Sequence, residues 1–141
     1  MTQAMLLTRL YQLPRHRREV LLRALLTLTG ASAAVAFLPF RMAIRFGLVA
    51  KRRHGTLAPD ECVWAVEAAA RRLPWRAVCI EQGLAAQRML RSAGVDAVLH
   101  YGARHCEESG KLQAHVWVSV GDETIIGGEE AADFAEIATY P

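Results

Sequence analysis

The chain has 141 residues, enough for one domain with a real core and too few for two ordinary ones. Hydrophobic residues make up 52% and charged residues 22%, the balance of a folded globular protein and not of a disordered one. The net charge of +3 conceals an uneven distribution: residues 1–58 carry ten Lys or Arg against Glu19 alone, a balance of +9, while the remainder carries seven basic and thirteen acidic residues, or −6. Either the two halves attract each other within the fold, or the basic half receives an acidic peptide, a partner protein or a membrane surface. Nucleic acid is not expected, because the basic residues are not interleaved with stacking aromatics. Cys62, Cys79 and Cys106 form no CxxC pair and no even-numbered framework, which points to a reducing, cytoplasmic compartment.

The start of the chain lacks the order of a secretion signal, since Arg15, Arg17, Arg18 and Arg23 come late and close to the apolar run. From Ala24 to Phe40 there is no charged residue. That run is at the lower edge of a membrane span and is interrupted by Gly30 and Pro39. It predicts two packed helices, about Glu19–Phe37 and about Arg41–Val49, with Pro39 between them. A peripheral membrane contact through residues 20–50 stays open, and the basic, apolar stretch 15–53 is a candidate docking surface. His16 and His54 sit among arginines and are expected at the surface.

Pro59 and Asp60 signal the start of a helix over about residues 60–72, with Val63, Val66, Ala70 and Leu73 at helical spacing and Pro74 at its end. The next helix runs from about Cys79 to Ser92 and is stopped by Gly94. Its apolar residues Leu84, Ala85, Ala86, Met89 and Leu90 leave Glu81, Arg88 and Arg91 as a narrow polar stripe, so it is packed on most sides. After Gly94 the period changes. VDAVLHYG reads as a strand, residues 103–113 as a polar loop forming a mobile rim, AHVWVSV as a second strand, and ETIIGG as a third after the turn at Gly121 and Asp122. A helical, basic subdomain (1–58) and a core (59–141) in one compact unit give the α+β class, a helical N-terminal part packed on a small antiparallel sheet.

Cys79 and Cys62 both fall in the first turn of a helix, where the positive end of the helix dipole favours thiolate. Only Cys79 has an informative sequel: His115 stands at the start of the second strand, thirty-six residues later. A cysteine at a helix start facing a histidine on a neighbouring sheet forms a nucleophile and base, with a third group to orient the imidazole. Spacing alone leaves both residues open to ordinary structural roles.

The segment PWRAVC ending at Cys79, the apolar helix closed by Gly94, and AHVWVSVGDETIIGG from Ala114 together resemble the transglutaminase-like leader peptidases of lasso-peptide biosynthesis. Upstream, LPFRMAIRFG and WAVEAAARRLPW are similar to that family's helical N-terminal part, so the resemblance covers about residues 10–130. It implies a papain-like core, a cysteine protease with Cys79 as nucleophile and His115 as base and later acid, and no cofactor. It also implies three partners: the precursor's leader peptide, a separate leader-recognition protein and an ATP-dependent lasso cyclase. The family's acid, about twelve positions after the histidine, falls here on Gly127. Asp122 is too far along the hairpin, at ~3.3 Å per residue, to reach His115. Folding the hairpin brings His115 level with roughly Gly128, leaving Glu129 as the nearest candidate and Glu130 behind it; a backbone carbonyl is the alternative. The backbone N–H of Cys79 would donate to the oxyanion, with Trp75 or Gln82 as a second donor. His100, His105 and Cys106 lack the paired spacing of a zinc site. An acyltransferase using the same cysteine, and an inactive scaffold of the same fold, are the other readings.

Overall fold

The computed structural model describes residues 3–52 and 55–141, so Arg53 and His54, including the surface position expected for His54, lie outside the described residues. In chain order it contains α1 (Gln3–Tyr11), α2 (Arg15–Phe37), α3 (Phe40–Ala43) running into a 3-10 turn at Ile44–Phe46, α4 (Pro59–Ala70) and α5 (Cys79–Ser92). There follow β1 (Ala97–His105), β2 (Leu112–Val120), β3 (Glu123–Ile126), α6 (Gly128–Ala131) and β4 (Ala135–Tyr140). The four strands form one antiparallel sheet in the order β3-β2-β1-β4. The fold is α+β, with helices gathered on one side of that sheet.

Small residues set how closely the helices approach. Leu21, Ala24, Leu28 and Ala31 recur at helical spacing on α2, and Ala65, Val66, Ala68 and Ala69 on α4; all are buried in one core. Helix α5 lies between these helices and the sheet, with Leu84, Ala85, Ala86 and Leu90 fully covered. On its sheet side a Cβ at Gly83 would come within 2.8 Å of Val116 Cγ1. The missing side chain lets the helix rest directly on Leu99, Val116 and Val118.

The polar stripe of α5 also has work in the fold. Arg88 donates to the Phe46 carbonyl at 2.9 Å and lies over the Phe46 ring, and Arg91 donates to the Val49 carbonyl at 2.9 Å. The buried Gln87 donates to the carbonyls of Ala97 and Tyr140, at 3.3 and 2.7 Å, tying β1 to the end of β4.

Several boundaries differ from the sequence reading. The helix expected over residues 41–49 is one turn of α3 plus the 3-10 turn. The polar loop is reduced to 106–111, because β1 and β2 pair as far as His105 with Leu112. Strand β3 stops at Ile126: Gly127 has φ +76°, which leaves extended geometry, and Gly128 begins α6.

Cys62 is fully buried, its thiol 3.8 Å from the Ala86 carbonyl, and burial pushes its pKa up from 9.0 to about 12. Between those values the native state keeps a proton that the unfolded state releases, so stability falls as pH rises through that window, by up to about 1.4 kcal/mol per pH unit. Chemical denaturation at pH 8 and pH 10.5 is expected to show this loss, and Cys62→Ala is expected to reduce it. An equal slope in the variant would remove Cys62 as its source.

Candidate active site

Cys79 is the first residue of α5, and the backbone just before it is held from two sides. Val78 is extended, and its N–H donates to the Glu81 carboxylate at 2.6 Å. Glu81, only 8% exposed, thus returns to cap the turn that presents the cysteine. The Trp75 indole N–H donates to the Ser32 hydroxyl at 2.9 Å, fastening the loop to α2. The first intrahelical bond of this turn runs from the Gln82 N–H to the Val78 carbonyl, so the N–H groups at Cys79 and Ile80 are helix-start donors.

Beside the helix start is a groove of about 980 Å³ lined by Arg76, Val78, Cys79 and Gln82 on one side and by His115 and residues 124–130 on the other. It brings Cys79, His115, Glu129 and Glu130 to one place. Gln82 also lines it, its amide N–H donating to the Ala77 carbonyl at 2.9 Å. Trp75 is committed to Ser32 and does not line the groove. Of the expected mobile rim, residues 103–113, none lines it either; the rim is formed by the end of β3 and the start of α6.

His115 is 7% exposed and packs against two aromatic rings, stacked on Trp117 with centroids 6.0 Å apart and tilted against Phe134 at 5.1 Å. Its Nε2 is 2.7 Å from the carbonyl oxygen of Gly127. A carbonyl can only accept, so Nε2 carries the proton, and in the neutral ring Nδ1 holds the lone pair of a base. Glu130 is the carboxylate that comes near, with Oε2 3.9 Å from Nδ1, and it is largely exposed. Glu129 shares the groove, but among the described residues it makes no ion pair with His115. Among the described residues the Cys79 thiol makes no hydrogen bond to His115.

Gly127 stands at the position where an acid was sought, and backbone fills the space a side chain would need. A Cβ there would come within 2.7 Å of the Val116 carbonyl and 3.2 Å of Trp117 Cα. The extra residue in the hairpin is Ile125, because Val118 pairs with Ile126 while Ser119 pairs with Thr124. Sequence reasoning had no means of seeing this slip, nor the return of Glu81 onto Val78, although an acidic residue three positions after a helix N-cap is a capping signal.

Two other histidines are used elsewhere. His100 bridges Glu136 and, through Nε2 at 2.7 Å, the Ser119 hydroxyl, while its ring stacks on Trp117 at 5.5 Å. His16 Nε2 is 2.7 Å from the Glu61 carboxylate. Among the described residues there is no group of three His, Cys, Asp or Glu able to hold a metal ion.

Cys79 at a helix start packed on an antiparallel sheet shares its groove with His115, the fourth residue of β2 rather than its first. The chain belongs to the transglutaminase-like superfamily, whose family model matches residues 22–139. Members of that superfamily are in general cysteine proteases or acyltransferases. No curated protein and no solved structure matches the chain.

Gly127→Asp places an acid where the resemblance implies one but meets both positive φ and the Val116 carbonyl. It is expected to lower unfolding stability by about 1 to 3 kcal/mol in chemical denaturation. A variant as stable as the wild type would show that the backbone here gives way easily.

Proposed function

We propose that this chain is a cysteine peptidase that removes the leader from a ribosomally made lasso-peptide precursor. The observation that carries the reading is the fixed tautomer of His115, whose Nε2–H is spent on Gly127 and whose Nδ1 is left as a base in the groove that holds Cys79. In this reading the Cys79 thiol gives its proton to Nδ1, and the thiolate attacks the scissile carbonyl carbon. The oxyanion is received by the Cys79 N–H and the Gln82 amide. His115 then protonates the departing amine, leaving an acyl-enzyme that water hydrolyses with the imidazole again as base. The precursor lies along the groove, and a separate recognition protein and an ATP-dependent cyclase act before and after the cut. Glu129 or Glu130 would serve as a carboxylate beside the imidazolium.

The absence of a side-chain acid at Gly127 also favours a second reading, an inactive scaffold of the same fold. The two separate cleanly by mass spectrometry of a lasso precursor incubated with its recognition protein and this chain. Cleavage at one leader–core junction is expected with wild type. It is expected to fall by at least about a thousandfold in Cys79→Ala and in His115→Ala. Omitting the recognition protein is expected to slow it. An intact precursor with folded wild type would overturn the peptidase and favour the scaffold; transfer of the acyl group to an amine would make the chain an acyltransferase.

A further inference from the structure

Helix α2 is buried along one face only. Opposite Leu21, Ala24 and Leu28, which are sealed in the core, Leu22 and Leu26 stand exposed, Leu26 to 76%. The ridge continues past the helix end through Phe37, 85% exposed, Leu38, Phe40 and Met42. From Leu22 to Phe37 it extends about 22 Å at 1.5 Å per residue. The helix reaches a mean hydropathy of 1.8 over an 18-residue window of which only 39% is buried, far more apolar surface than its core contacts use.

Two further features indicate what covers this ridge. The polar groups on it turn inward: Thr29 donates to the Leu25 carbonyl and Thr27 to the Arg23 carbonyl, both at 2.7 Å. The ridge therefore offers little directional hydrogen bonding of the kind a protein partner would read. Its surroundings are cationic. Arg18 and Arg23 lie near one end and Arg41 and Arg45 near the other, all without a carboxylate partner among the described residues. The single acid on α2 itself, Glu19, is paired with Arg15, and Glu61 of α4 is paired with His16. Apolar side chains flanked by arginines, on a helix pinned by its other face, match a helix that lies in the plane of an anionic lipid interface. Spanning the bilayer is excluded for the folded protein, because Leu21, Ala24 and Leu28 would have to leave the core.

We propose that the outer ridge of α2 and the turn after it seat this protein on an anionic membrane surface, with Leu22, Leu26, Phe37 and Leu38 in the headgroup region and the arginines on lipid phosphates. No residue of α2 lines the catalytic groove, so the seated protein keeps that groove open to water. The inference is independent of the reaction the groove performs.

Flotation of the full chain with phosphatidylcholine vesicles, with and without phosphatidylglycerol, tests it. The wild type is expected to float with the anionic vesicles and far less with the neutral ones, and rising salt is expected to release it. Leu26→Glu with Phe37→Glu is expected to reduce flotation by roughly tenfold or more, and Arg41→Gln with Arg45→Gln to reduce it while leaving the ridge intact. Protection of Cys62 from alkylation reports that each variant is folded; if the ridge variant fails this check, the arginine variant decides. Failure of the wild type to float with anionic vesicles overturns the proposal. So does concentration-dependent self-association of a non-floating wild type that Leu26→Glu abolishes, which would make the ridge an interface between two copies.

Discussion

The close seating of α5 on the sheet at Gly83 is the constraint on which the rest of the molecule depends. With no side chain there, the helix lies against Val116, Val118 and Leu99, and its remaining faces are free to receive α2 and α4. The same seating sets the helix start beside the middle of β2. Cys79 and His115 therefore line one groove although they belong to elements of different type, thirty-six residues apart. Interiors pack too densely for this approach to tolerate an added methyl without movement of the helix. The position of Cys79 is thus set four residues downstream of it.

Around the groove, polarity is arranged by backbone groups as much as by side chains. Glu81 takes the Val78 N–H, Gln82 gives to the Ala77 carbonyl, and His115 gives to the Gly127 carbonyl. The imidazole packs against the Trp117 and Phe134 rings. Trp117 also stacks on His100, which bonds Ser119 and Glu136, so the two histidines share one aromatic neighbour.

Much of this was legible in the sequence. The helical period through Leu84 to Leu90, the stop at Gly94 and the alternation of Val116, Val118 and Val120 are local signals, and they gave α5 and β2 nearly to the residue. Helix α4 was legible for the same reason. The rest was decided by contacts between distant residues. Strand β4 has weak local patterning and exists because β1 offers it an edge, with Gln87 holding its last carbonyl. The polar residues 103–105 and 112–113 read as loop yet pair as strand, since exposed hairpin ends need no apolar alternation. Near His115, the slip at Ile125 and the turn at Gly127 bring Glu130 rather than Glu129 closest to Nδ1, a matter of one residue that hairpin counting cannot resolve.

The atom of Gly127 that orients the His115 imidazole is a main-chain oxygen, which all twenty residue types carry, so no substitution at position 127 can delete it. What position 127 must supply is conformation: a backbone able to turn at positive φ against the Val116 carbonyl. A main-chain oxygen in place of a carboxylate also adds no titrating group, so the histidine keeps a partner whose charge does not change with pH.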